Sequence, residues 1–545
     1  MMSLSTPTGR TLIVLAAIAS LFGGLLIRGL WLASAGAPTH SGSSQPGKAP
    51  TFMRADILDR DGELLVRSHM APYLAANPSL IWDAKGATER LMSVFPDLDR
   101  GTIEARLSRS SKEFVWIKRR ALSDAELQAV LDLELEGMLF PEEPTRFYPN
   151  GTLAGHLLGY VGTEKAGMAG LEYVLDSTLK ADPTPVRLTI DAAVQFELEA
   201  ELERAGEDFQ LIGAGGIVLE AETGAVRALA SWPALDPAHP PSLTAPEAQD
   251  RVVGSVYDLG SVFKPLTVAA ALEAGVVRET DRYAFDEPII IQNFEVKDIH
   301  PIPGRISLTD VISKSSNKGT VAIARSLGGN AQISMFRKAG LFDRSPIELT
   351  LSQAPLLPPE WSELALATSS YGHGMAVTPI AFATAFSAFA NNGEFVAPTL
   401  LEDKVGEAEA LRLFEPDTVR RMNAMLRETV VNGTGKQANI SGYRIAGKTG
   451  TAEKPINGVY DPDKNITSFA ALFPAERPEY VVLIVLDEPK DDTAGGVTAA
   501  WNAAPVAGRV IERIAPHLGV MPILETASGL PGSASMSDAD RSALQ

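Results

Sequence analysis

The apolar pattern changes character several times along the chain. Residues 11–27 carry no charge and are rich in Leu, Ile, Val and Ala, with Arg10 and Arg28 at the two ends. A membrane-spanning helix needs about 17–25 apolar residues. The run is at the short end of that range, but Arg28 can snorkel and Trp31 suits the headgroup layer. The pattern therefore predicts a transmembrane helix over 11–33 behind a cytoplasmic tail of residues 1–10. Ala33-Ser34-Ala35 also fits a signal-peptide cleavage site, but the apolar run is longer than the core of such a peptide, which favours an uncleaved anchor. Residues 34–50 read as a linker, with Ser, Gly and Pro concentrated over 40–50.

Residues 54–66 begin as a strand, turn at Asp61-Gly62 and resume as a strand. A mixed region follows to residue 185, with helical spacing over 124–135 and a glycine-rich stretch at 159–170. Near Val186 the texture shifts. Residues 186–190 read as a strand, 192–205 as a helix, and 215–219 and 225–230 as two strands joined by a Glu222-Thr223-Gly224 turn. Residues 480–486 form an unbroken apolar run expected to be a buried strand, and 506–514 read as a helix. Strands at both ends with helices between predict an α/β (α+β) domain over 186–520, preceded by a separate mixed domain over 51–185. The Ser-, Ala- and Asp-rich tail, 521–545, reads as disordered, and there is no internal repeat.

Composition narrows the function classes. The 545 residues carry a formal net charge of −19. A nucleic-acid binder needs a basic surface, so that class is excluded, and binding to anionic lipid is disfavoured for the same reason. The chain has no cysteine, which removes disulfides, thiol nucleophiles and Cys-based metal sites. The 7 histidines are scattered and none forms H-E-x-x-H, so no metal site is expected; His373 reads as a residue that orders a loop.

Three short motifs then stand in order: Ser261-Val262-Phe263-Lys264, Ser315-Ser316-Asn317 and Lys448-Thr449-Gly450-Thr451. Together they match the S-x-x-K, S-x-N and K-T-G signature of β-lactamases and penicillin-binding proteins, a recognised pattern rather than a deduced one. S-x-x-K alone says little, because it recurs at Ser177–Lys180 and Ser315–Lys318. Context separates the three. Pro265 is tolerated only near a helix start, so a helix must begin beside Ser261. The i, i+3 spacing puts Lys264 on the same face as Ser261, within reach of its hydroxyl. Burial and a second cation at Lys448 would lower the Lys264 pKa and make it a base. Ser315 is then placed to relay protons and Asn317 to hold a substrate amide. Residues 444–453 read as a strand edge along which a peptide could add, with Gly450 allowing close backbone approach. Lys448, Thr449 and Thr451 would bind a terminal carboxylate, and the N–H groups of Ser261 and Thr451 would form the oxyanion hole. Gly442 to Thr449 also fits the phosphate-loop pattern, but Gly450 and Pro455 preclude the helix that such a loop requires.

Beyond these motifs the chain resembles class B penicillin-binding proteins over nearly its whole length. Residues 54–65 resemble the family's R-x-x-I-x-D-R-x-G-x-x-L opening. Arg146-Phe147-Tyr148-Pro149-Asn150-Gly151 with His156, and Gly170-Leu171-Glu172, resemble blocks of its non-catalytic pedestal. Leu188-Thr189-Ile190-Asp191 with Gln195 resembles the start of its catalytic domain. Ser370-Tyr371-Gly372-His373-Gly374, Val377-Thr378-Pro379 and Asp298-Ile299-His300 are similar to the division branch. One departure is Trp501-Asn502-Ala503-Ala504-Pro505, which interrupts a small-residue block.

The resemblance implies a β-lactamase-like penicillin-binding transpeptidase fold carried on an elongated pedestal of dimerisation type and a membrane helix. It implies a septal peptidoglycan D,D-transpeptidase of the inner membrane, single-pass, with its catalytic domain in the periplasm. Ser261 would attack the penultimate D-Ala carbonyl of a stem peptide, and β-lactams would acylate the same serine. No cofactor is implied. A glycan polymerase and other division proteins are the implied partners. The alternatives are an elongation-branch transpeptidase, a serine β-lactamase or β-lactam sensor, and a non-enzymatic scaffold.

Overall fold

The computed structural model describes residues 53–523 apart from 110, 286, 350, 351, 457 and 491–496. The expected membrane helix, linker and most of the expected tail lie outside the described residues. Among the described residues, no helix is long and apolar enough to cross a membrane.

The strand–turn–strand reading of residues 54–66 holds. Ile57–Leu58 turns back into the long strand Leu64–Ala76. That strand also pairs antiparallel with Val115–Ala121, Met138–Leu139 and Glu142–Phe147. Helices Ala84–Val94 and Arg100–Leu107 cover one end, burying Leu74, Leu91, Phe95, Ile103 and Ile117 in a small core. The predicted helix at 124 is shorter than expected, Asp124–Leu131, and opens with a Ser123/Glu126 capping box.

The three pedestal blocks singled out in the sequence converge on one buried ion cluster. Glu172, fully buried, accepts from Arg54 Nη2 at 2.5 Å and Arg146 Nε at 2.6 Å, and Arg54 also bonds Asp176 at 2.5 Å. Charges this deep are tolerable only when paired. The glycine-rich stretch has a steric cause: a Cβ on Gly159 would lie 1.9 Å from the Ala169 carbonyl oxygen.

One expectation is corrected here. The strand at 186–190 is only Val186–Arg187, and it pairs in parallel with Ile57–Leu58 at the edge of the pedestal sheet. Thr189 instead hydrogen-bonds the carbonyls of Val226 (2.8 Å) and Thr399 (3.0 Å), so the segment crosses between the two domains. Apolar alternation reveals a strand but not which sheet it joins.

Helix α1, Ala192–Asp208, is N-capped by Asp191 and runs one turn past its expected end. Its Gln195 amide both donates to and accepts from the Leu229 backbone at 2.8 Å, which fixes the helix to the sheet. The strands of that sheet are β1 (Gly213–Glu220), β2 (Val226–Trp232), β3 (Ala446–Ile456), β4 (Val459–Phe473) and β5 (Tyr480–Asp487), in the order β3-β4-β5-β1-β2. All neighbours are antiparallel, so of the two classes expected the domain is the α+β one. Helices α2 (Lys264–Glu273), α3 (Asn317–Leu327), α4 (Pro379–Ser387) and α5 (Pro416–Val431) build the larger core on one side. Helix α1 and α6 (Ala503–Ile514) cover the other face, where Leu198, Val482, Ile484 and Val510 meet.

Candidate active site

The nucleophile candidate sits where the sequence placed it. A single 3-10 turn, Gly260–Phe263, carries Ser261 and leads straight into α2, with Pro265 in its first turn. Gly260 has φ +65°, and a Cβ there would fall 2.6 Å from the Thr451 carbonyl oxygen, so glycine is required for the serine turn to press against β3. Three tethers hold the turn. Gly260 N–H donates to Gly372 O at 3.0 Å, Ser468 Oγ donates to Leu259 O at 2.9 Å, and Asp258 accepts from Gly374 N–H at 2.9 Å.

Two lysines converge on Ser315. Lys264 Nζ donates to its carbonyl oxygen at 2.5 Å and its hydroxyl at 3.1 Å, and Lys448 Nζ reaches the same hydroxyl at 2.9 Å. Both lysines are fully buried, and among the described residues neither has a carboxylate salt-bridge partner. Burial holds Lys264 well below the ordinary lysine value; the nearby Lys448 charge lowers it further, against the pull of Asp298. Burial pushes Lys448 down to about 7. Two buried amines this close disfavour each other's charge, so the pair does not readily hold two protons. The expected contact between Lys264 and the Ser261 hydroxyl is not formed in this geometry, because the amine is directed at Ser315. Such bonds commonly tighten only in the substrate complex.

Ser315 itself adopts φ +62°, a left-handed conformation that non-glycine residues hold only where surroundings enforce it. The cause is the end of the helix Leu308–Ser313, where Ser316 N–H donates to Val311 O at 2.9 Å and Ser315 N–H to Ile312 O at 3.2 Å. The residues that follow are held by Asp298, which sequence reasoning noted only as a branch marker. Its carboxylate accepts from Ser316 Oγ at 3.1 Å, Asn317 N–H at 2.5 Å and Lys318 N–H at 3.1 Å, at the N-terminus of α3. Asn317 lines the cavity, but its Nδ2 is tied to the Lys297 carbonyl at 2.7 Å, leaving Oδ1 as the acceptor for a substrate N–H. On β3, Lys448 and Thr449 face the lysine cluster, and Thr449 Oγ1 shares a 2.6 Å hydrogen bond with Thr434, a partner not foreseen. Thr451 Oγ1 accepts from Ala499 N–H at 3.1 Å. The departure at Trp501-Asn502 thus lies just beyond a direct contact of β3; Asn502 caps α6 through its own Oδ1.

Ser261, Asn317 and Thr451 line one cavity of about 800 Å³, together with Tyr371, His373 and Tyr460. A cavity of about 890 Å³ lies elsewhere, between α5 and the β4–β5 turn, and contains none of the three motifs. The other S-x-x-K candidates fail on position. Ser177 lies in the pedestal helix Asp176–Ala181 with Lys180 paired to Asp176 at 2.7 Å. Ser315 is the shared partner of two lysines from other motifs. The phosphate-loop match fails as expected, since Lys448 and Thr449 stand inside β3.

Residues 214–511 match the family described as penicillin binding protein transpeptidase domain, and residues 51–211 match the penicillin-binding protein dimerisation domain. The chain belongs to the penicillin-binding transpeptidases. It is 36% identical over 485 residues to a probable peptidoglycan D,D-transpeptidase FtsI of Caulobacter vibrioides, covering 86% of this chain and 82% of that one. To the peptidoglycan D,D-transpeptidase FtsI of Escherichia coli it is 26% identical, covering 86% and 84%. Among solved structures, penicillin binding protein 3 of Mycobacterium tuberculosis, complexed with aztreonam, superposes with a TM-score of 0.66 at 23% identity over 86% of this chain and 97% of that one. That likeness establishes the fold of this penicillin-binding transpeptidase.

Proposed function

We propose that the protein is a serine-type peptidoglycan D,D-transpeptidase that cross-links stem peptides during septal wall synthesis, with Ser261 as nucleophile. The observation that carries this is the convergence of two fully buried lysines on the Ser315 hydroxyl, one of them, Lys264, three residues after Ser261. Lys264, neutral, takes the proton as Ser261 Oγ attacks the penultimate D-Ala carbonyl. The oxyanion is received by the N–H groups of Ser261 and Thr451, each such donor being worth on the order of 10²–10³ in rate. Collapse breaks the peptide bond, and the departing D-Ala amine is protonated by way of Ser315. The second stem peptide's amine then attacks the acyl-enzyme, losing its proton along the same route. Charged Lys448, with Thr449, Gly450 and Thr451, holds the terminal carboxylate, and Asn317 holds a substrate amide. β-Lactams acylate Ser261 by the first half of this path.

The similarity to proteins named FtsI and the division-type segments at Ser370–Gly374 and Asp298–His300 support the septal reading over side-wall elongation. In this reading the domain order is tail 1–10, membrane helix 11–33, linker 34–50, pedestal 51–185, catalytic domain 186–520 and tail 521–545. The catalytic part faces the periplasm, and the helix and pedestal meet a glycan polymerase and other division proteins. Fluorescent penicillin followed by peptide mass spectrometry tests the chemistry: the adduct is expected on Ser261, and one on Ser177 or Ser315 would sink the assignment. Depletion is expected to give filaments. Swollen cells that still divide would move the protein to the elongation branch.

A further inference from the structure

The cavity of about 890 Å³ between α5 and the β4–β5 turn contains none of the three motifs, yet it is built from charged side chains. Most of those charges are matched in pairs. Arg444 bonds Glu476 at 2.7 Å, and Arg477 bonds Glu479 at 3.3 Å. Arg420 is held by Asp417 at 2.5 Å, and Glu220 by Arg227 at 2.8 Å. Two lining charges of opposite sign are left over: Arg427 on α5 and Glu222 in the β1–β2 turn. Among the described residues neither has an ion-pair partner.

Arg427 is half-buried. Its guanidinium donates to the Ile445 carbonyl at 2.6 Å and to Asn439 Oδ1 at 3.3 Å, both neutral acceptors. Burial lowers its pKa from the ordinary arginine value, and the Arg444 charge lowers it further against the pull of Glu476. An arginine keeps its proton in spite of this. The result is a cation partly withdrawn from water without a countercharge, which an incoming carboxylate relieves. Glu222 is exposed and offers a carboxylate to an amine. Asn391 and Asn392 line the same cavity, and among the described residues their side chains make no hydrogen bond. A primary amide both donates and accepts, as a peptide group does. The free groups of the cavity are thus one cation, one anion and two amides.

We infer that this cavity is a second, non-catalytic ligand site that takes a zwitterionic peptide, its carboxylate on Arg427 and its amine on Glu222. This rests on the transpeptidase reading above, which supplies the ligand: an uncross-linked stem peptide carries both a free amine and free carboxylates. A stem peptide held there while Ser261 acts on another keeps the same wall strand on the enzyme. Tethering of that kind raises the effective concentration of strand at the catalytic cleft without any new contact to the reacting atoms.

The test uses the full chain in detergent, first acylated with benzylpenicillin so that the Ser261 cleft is occupied. Isothermal titration with the tetrapeptide L-Ala-γ-D-Glu-meso-diaminopimelate-D-Ala then reads the second site. Saturable binding is expected on the acylated protein, weakened by on the order of tenfold in Glu222→Gln and in Arg427→Gln. Acetylating the free amine of the diaminopimelate side chain should weaken binding to the unaltered protein to a similar extent and cost nothing further in Glu222→Gln, because both changes remove the same contact. Glu222 stands in an exposed turn, so its variant keeps the test decisive even where Arg427→Gln, which also gives up the Ile445 contact, does not fold. No binding to the acylated protein, or binding of equal strength in Glu222→Gln, overturns the inference. Failure of benzylpenicillin to acylate Ser261 in the first step overturns the proposed function instead, so the two failures are distinguishable.

Discussion

Lys448 Nζ lies 2.9 Å from the Ser315 hydroxyl although 133 positions separate them in the chain. The contact places a second amine on the hydroxyl that Lys264 also reaches, at 3.1 Å. Burial and the Lys448 charge lower Lys264, and burial pushes Lys448 down to about 7, so the pair does not hold two protons near neutrality. One is thereby suited to take a proton and the other to bind an anion.

This division predicts a pH profile. Lys448, pushed down to about 7, is charged below that pH and neutral above it. Carboxylate binding needs the charged form, so the second-order acylation constant should fall on the alkaline side with a midpoint near that value. A bound carboxylate favours the ammonium, so at saturating ligand the limb should move to higher pH. Lys448→Arg should abolish the limb within the accessible range. Stopped-flow acylation across pH measures both; a limb that stays at the same pH at saturation contradicts the carboxylate role.

The pedestal cluster predicts a stability loss. Glu172→Gln leaves Arg54 and Arg146 buried without their shared countercharge. Breaking a buried ion pair in this way typically destabilises by about 3–5 kcal/mol. Urea unfolding of the soluble protein should show a lower midpoint, while folded protein still labels with penicillin at Ser261. An unchanged midpoint would show that the cluster does not hold the pedestal together.

Glu199 on α1 predicts a pH-dependent stability. It accepts from the Ala154 N–H of the pedestal at 2.8 Å and from Gln195 at 2.7 Å, and burial pushes its carboxyl up to about 7 from the ordinary 4.5. Its folded value is raised, so between these two pH values the native state holds more protons than the unfolded one. Its contribution is complete below about 4.5 and is lost as pH rises through about 7. Glu199→Gln should flatten that part of the stability–pH curve. A curve of the same slope in the variant assigns the dependence to other groups.

The domain order predicts the behaviour of a truncation. Removing residues 1–50 should give a soluble protein that labels with penicillin as the full chain does. The full chain should sediment with membranes at undiminished N-terminal mass. Cleavage after Ala35 would replace the anchor with a signal peptide.

Several features were legible in the residues because their causes are local. Pro265 dictates a helix start beside Ser261, and that helix is Lys264–Glu273. Residues 480–486 read as a buried strand, and the strand Tyr480–Asp487 is buried along its whole length. The helix read over 192–205 opens at Ala192 behind its N-cap Asp191, chemistry that acts over two or three positions.

What the sequence determined by itself was therefore the periodic elements, the motif residues and the family that they mark. Tertiary structure alone decided the partners. Val186–Arg187 joins the pedestal sheet, Asp298 holds Asn317, Thr434 meets Thr449, and Tyr460 reaches Asp258 across 202 positions. The reason is physical. Hydrophobic period and capping chemistry act within a turn or two of the chain. Which side chains meet at the catalytic cleft depends on the sheet order β3-β4-β5-β1-β2, which brings the C-terminal hairpin beside a serine turn nearly two hundred residues earlier, and nothing local to either segment encodes that adjacency.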